Sequence, residues 1–164
     1  MINEESFDNE HNKLASYDKE TRNLMLTAMD FSDAYTEIFS LPEMVYLLRN
    51  SFKERLTHAA VLGEKEMRTN TDPSSGFCMI ASYLIYSTTG GSKVWELRGT
   101  NLHWWLYHKQ THTIFDITHT QFPREDVEKI YKMGVAVKKL KTDMSFHTVL
   151  KAKAHTLAHR AGLE

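Results

Sequence analysis

A chain of 164 residues, 41% apolar and 25% charged, can bury one hydrophobic core but is short for two. Its formal net charge of −1 supplies no overall field to draw it onto nucleic acid or anionic lipid. One cysteine excludes an internal disulfide and a cysteine-rich zinc site.

The N-terminus, Met1 to Ser6, is acidic and polar, without the basic-then-apolar pattern of a signal peptide. Apolar runs fall well short of the ~20 residues of a membrane span. The expected compartment is the cytoplasm, where a lone thiol stays reduced and free to react.

Helical spacing begins at Asp18, which suits an N-cap, and runs through Leu24, Met25, Ala28, Met29 and Phe31. Ser40-Leu41-Pro42 punctuates the chain, and a second helix is expected from Pro42 to Leu62, with Val45, Leu48, Phe52, Leu56 and Ala59 inward and Gly63 as its stop. Residues 64–76 are rich in turn formers. A short apolar helix is expected over Phe77 to Tyr86, then strands over Lys93 to Leu97, Leu102 to Tyr107 and His112 to Thr118. A helix from Pro123 to Met133, a short strand at Val135 to Val137 and a last helix over Ser145 to His159, capped by Asp143 or Ser145, complete the order. Helices first, then a helix feeding an antiparallel sheet, predict one α+β domain: a helical N-terminal extension, 1–63, and a core, 64–164.

Cys78 falls where the turn-rich loop meets its helix. Unpaired N–H groups and the helix dipole there favour a thiolate and can hold an oxyanion beside it. Gly76 permits close approach of a substrate backbone. The competing reading is that Phe77 to Ala81 are simply core, since free cysteine is among the most buried residue types.

The segment Leu102 to Thr118 reads as two strands joined at Lys109-Gln110. With that tip, His108 pairs with Thr111 and His103 stands opposite Asp116, their Cβ atoms about 5 Å apart on one face. A one-residue slip would separate them to opposite faces. Asp116 then orients the imidazole and leaves its other nitrogen to face a thiol, the nucleophile–base–orienter arrangement of thiol hydrolases. A simple cross-strand His–Asp pair is the competing reading.

Taken together, Gly76-Phe77-Cys78-Met79-Ile80-Ala81-Ser82, Gly90-Gly91, His103-Trp104-Trp105-Leu106, Asp116-Ile117-Thr118 and Gln121-Phe122 resemble a group of small bacterial and phage proteins with a papain-like or transglutaminase-like fold. The resemblance spans Gly76 to Phe122. It implies a Cys-bearing helix packed on an antiparallel sheet, with Cys78, His103 and Asp116 as the triad and no cofactor. The chain departs from that group at Phe77, where a polar residue is frequent. It also has no glutamine just ahead of Cys78, where papain-like enzymes keep an oxyanion donor. Asn70, Ser74 and Ser75 are the substitutes the loop offers.

Nine histidines raise a zinc site, with His103, His108, His112, His119, Asp116 and Cys78 as the available donors. The expected register points His108 away from His103, so no metal site is expected. Trp104 is expected in the core, and Trp105 either walls a cleft or covers the triad. The basic run Lys138-Lys139-Leu140-Lys141 reads as a solvated face rather than a nucleic-acid patch. The expectation is a hydrolase or acyl-transfer enzyme acting on an amide, isopeptide or thioester of a protein or peptide. The alternatives are a non-catalytic partner-binding protein on the same fold and, third, a zinc-dependent hydrolase.

Overall fold

Asp18 opens the first helix, α1 (Lys19–Ala28), accepting a hydrogen bond from the Thr21 N–H at 2.8 Å. The chain is seen as a computed structural model that describes residues 18–64, 72–140 and 144–164. Burial works against the Asp18 charge, but Lys53 at 2.8 Å, Thr21 and Arg49 outweigh it and hold the carboxyl well below the usual carboxylate range. The second helix, α2 (Leu41–Phe52), starts on a capping box between Ser40 and Glu43, with Pro42 in its first turn.

The sequence reading carries this helix on to Leu62. The chain instead breaks after Phe52, makes a short turn at Arg55–Thr57 and a π turn at His58–Leu62, and stops at Gly63 with φ +74°. The break shifts the phase of the buried stripe. Leu56 and Ala59, expected inward, are exposed, while Thr57, His58 and Val61 are buried. His58 Nε2 lies 2.6 Å from the Phe52 carbonyl, satisfying an acceptor that the helix end leaves open.

The Cys-bearing helix, α3 (Cys78–Thr88), feeds a four-stranded antiparallel sheet: β1 (Trp95–Gly99), β2 (Trp104–His108), β3 (Thr113–Phe115) and β4 (Val135–Ala136), in the order β3-β2-β1-β4. Between β3 and β4 runs α4 (Arg124–Met133), and α5 (Met144–Ala161) closes the chain. Val137, expected to extend β4, instead begins a 3-10 turn. Ser145 lies inside α5 rather than capping it, and Asp143 falls outside the described residues.

One face of α3 packs on β1 and β2, and the helix also lies against α5. Ser82 Oγ donates to the Trp104 carbonyl at 3.2 Å, fixing helix to strand. A single apolar cluster joins Leu24, Ala28 and Phe31 to Phe52, Ile85, Trp95, Phe115 and Leu157. The helices of the N-terminal third therefore share the core with the sheet. The described fold is α+β.

The β2–β3 hairpin departs from the expected register. Its loop is Lys109 to His112, with His112 at φ +55°, and the ladder pairs His108 with Thr113 rather than with Thr111. The slip is two residues, and side chains alternate with period two, so each residue keeps its expected face. Because β2 starts at Trp104 and β3 ends at Phe115, His103 and Asp116 lie just beyond the paired ends and meet diagonally.

Candidate active site

Cys78 is the first residue of α3. Its N-cap, Phe77, provides no side-chain hydrogen bond to the first-turn N–H groups. Phe77 is itself fixed by stacking on Phe52, with ring centroids 4.5 Å apart. Gly76 precedes it at φ +89°, a conformation that favours glycine, and a Cβ there would meet Leu62 at 3.0 Å. This backbone requirement accounts for Gly76 without any substrate.

His103 enters from a tight turn. Its N–H and that of Leu102 bond to Thr100 Oγ1, and its carbonyl accepts from the Thr100 N–H at 2.9 Å. Its Nε2 lies 2.6 Å from Asp116 Oδ2. Asp116 is buried and fully engaged. Oδ1 accepts from the N–H and hydroxyl of Thr118, each at 3.1 Å, and Oδ2 also accepts from Tyr131 Oη at 2.8 Å. An ionised carboxylate only accepts, so Nε2 carries a proton and Nδ1 is the nitrogen left for chemistry.

Cys78 is a neighbour of that ring. Among the described residues, the one regular hydrogen bond of its sulfur is a long contact of 3.9 Å to the Leu102 carbonyl. The imidazole nevertheless feels Cys78 as a hydrogen-bond partner and as a charge. Burial alone would lower the ring's pKa. The bond to Asp116, then the thiol, then the two negative charges outweigh it and raise the pKa to about 9. At neutral pH the ring therefore favours its cationic form. Burial and the Asp116 charge push the Tyr131 hydroxyl far above its ordinary pKa, so it stays protonated and keeps donating.

All three expected triad residues come together, but under cover. His103 is fully buried and Cys78 is only 7% exposed. Trp105 is fully buried too, its ring 5.7 Å from that of His103 and 4.9 Å from that of Tyr131. Of the two roles expected for Trp105, it covers the triad rather than walling an open cleft. Gly134 makes room for it, since a Cβ there would stand 2.1 Å from the indole.

The oxyanion candidates fare unevenly. Asn70 lies outside the described residues. Ser74 is buried, and its hydroxyl donates to Asp72 Oδ1 at 2.6 Å and approaches Thr120 Oγ1 and the Thr118 carbonyl, so it braces the loop. Ser75 is half-buried, its N–H bonded to the Asp72 carbonyl. The zinc donors scatter. His108 meets Asp33, His112 meets Tyr107, and His119 lies 3.7 Å from Glu20. Among the described residues no group of three or more His, Cys, Asp or Glu side chains forms a cation site.

Sequence reasoning left three contributors without a role. Gln121 Nε2 lies 3.4 Å from His103 Nδ1. Tyr131 bonds Asp116 from α4. Buried Arg49 on α2 donates to Thr21, to the Ile117 carbonyl at 3.0 Å and to Thr120 at 2.9 Å, pinning the segment between Asp116 and Gln121. Only Gln121 carried a signal, as part of the Gln-Phe pair. The roles of Tyr131 and Arg49 arise from contacts between distant elements. Tyr131 also lines a cleft of about 960 Å³ with Arg49, Lys53 and His119, whose lining does not include Cys78. Among the described residues no helix is long and apolar enough to cross a membrane. Comparison with protein-family models, with curated proteins and with solved structures finds no match to this chain.

Proposed function

We propose that this protein is a cysteine hydrolase or acyltransferase with a papain-like or transglutaminase-like core, acting on an amide, isopeptide or thioester of a protein or peptide in the cytoplasm. One observation carries the reading: a single buried imidazole meets a fully bonded carboxylate through Nε2 and neighbours a helix-mouth thiol. Cys78 attacks the carbonyl as thiolate. His103, already carrying the proton, returns it to the leaving group from Nδ1, and Asp116 stabilises the cation and fixes the ring. Hydrolysis and transfer differ only in whether water or an amine resolves the acyl-enzyme, so deamidation of a glutamine is one hydrolytic version.

A second reading, a partner-binding protein on the same fold, is favoured by the burial of Cys78 and by a large cleft whose lining does not include it. Labelling with an acyl electrophile separates the two. The enzyme reading expects rapid, pH-dependent acylation of Cys78, slowed roughly 10²–10⁴-fold by His103→Ala, the range of general acid–base catalysis. Equal labelling of wild type and His103→Ala, or a thiol that reacts only after unfolding, rejects it.

A further inference from the structure

Resting on the thiol-acylation reading, we infer that Gln121 is the side-chain half of an oxyanion site, donating from Nε2 to the oxygen of a carbonyl under attack by Cys78. The amide nitrogen stands 3.4 Å from His103 Nδ1, the nitrogen left over once Nε2 is committed to Asp116. An amide N–H can only donate. With the ring cationic at neutral pH, Nδ1 carries a proton as well as Nε2, so donor faces donor and the ring does not hold the amide N–H. That N–H is left to bond a carbonyl oxygen that gains charge there.

The other half is already in place. The first-turn N–H groups of α3 receive no side-chain cap from Phe77, and such groups stabilise developing negative charge. Gln121 is half-buried at the end of the 3-10 turn His119–Gln121. The next residue, Phe122, packs edge-on against the His103 ring at 4.9 Å. Arg49 holds the preceding residues through Ile117 and Thr120. The backbone carrying the amide is therefore fixed on both sides.

The step balances without any co-reactant. The Cys78 thiolate bonds through Sγ to the carbonyl carbon, and the π pair moves to the oxygen under the Gln121 and backbone donors. The pair then returns, the bond to the leaving group breaks, and the Nδ1 proton leaves with that group.

The test compares wild type with Gln121→Ala and Gln121→Met in two reactions of Cys78. Acylation by p-nitrophenyl acetate passes through an oxyanion, whereas alkylation by iodoacetamide displaces iodide and forms none. Both variants are expected to slow acylation roughly 10²–10³-fold, the cost of one lost oxyanion donor, with the alkylation rate unchanged. Unchanged acylation overturns the assignment, and so does a parallel fall of both reactions, which would make the amide a brace of the thiol–imidazole pair. Gln121→Met keeps an unbranched chain of similar length, and unchanged alkylation shows that the pair is still assembled. Wild-type protein left unacylated at Cys78 defeats the parent reading instead, so the two failures are distinguishable.

Discussion

Two histidines flank β2, and each meets a carboxylate. His103, just before the strand, bonds Asp116 at 2.6 Å, and His108, at its end, bonds Asp33 at 2.7 Å. Both rings are buried. The pairs differ at the second nitrogen. That of His108 lies 2.8 Å from Thr111 Oγ1 and accepts from the Thr111 N–H, with Phe31 packed over the ring. Its bonds are used up in tying the segment after α1 to the hairpin loop. The second nitrogen of His103 faces an amide, and the ring neighbours a thiol. The carboxylates differ as well: Asp33 is 37% exposed, whereas Asp116 is buried under four donors. A short His–Asp bond is thus common to a structural pin and a candidate catalytic dyad. What the other nitrogen is given to do separates them.

Replacing each carboxylate by its amide tests that contrast most severely. Asp116→Asn keeps the shape but lets the amide donate to Nε2, favouring the tautomer with its proton on the wrong nitrogen. Acylation of Cys78 by p-nitrophenyl acetate should fall roughly 10²–10⁴-fold, the range general acid–base catalysis spans. Asp33→Asn should leave the rate at the wild-type value. Similar losses in both would mean that the two pairs share a structural role.

The contrast also marks what a sequence can carry. Asp18, Ser40-Pro42 and Pro123 open helices where local chemistry says they should, because caps are set within a few residues. The facing of His103 and Asp116 survived a register error because alternation has period two and the slip was two. The register itself lay in the left-handed backbone of His112, which an unbroken alternation does not reveal. The helix break after Phe52 escaped for a similar reason: its stabilising contact, His58 to the Phe52 carbonyl, is a side-chain choice and not a hydropathy signal. Tyr131, Arg49 and the placement of Gln121 depend on contacts across 15, 68 and 18 residues of chain, beyond any local pattern.

Titration offers the next-largest effect. The folded-state pKa of His103, about 9, lies above the ordinary 6.5, so folding is favoured by proton binding. The contribution is fully present below pH 6.5 and is lost as the pH climbs through 9. It amounts to roughly 3 kcal/mol if the unfolded ring is normal. Urea unfolding measured from pH 6 to 10 should show a decline in stability over that window. His103→Gln should flatten the decline, and His108→Gln should leave it in place. A wild-type profile that is flat across the window would mean the ring is not held as a cation.

The smallest effect sharpens the comparison at the Asp116 carboxylate. Tyr131 Oη shares Oδ2 with the His103 ring, an arrangement with no counterpart in the bonds described at Asp33. Tyr131→Phe removes that donor and leaves Oδ2 with the imidazole, at a cost of roughly 1 kcal/mol in unfolding free energy. The carboxylate's charge then falls more heavily on the ring, so the His103 pKa should move upward by a fraction of a unit. Nitrogen-15 NMR of the imidazole reads this directly, without any substrate. A downward move would show that Tyr131 chiefly keeps Asp116 ionised, whereas an upward one shows that it draws off charge the imidazolium would otherwise take.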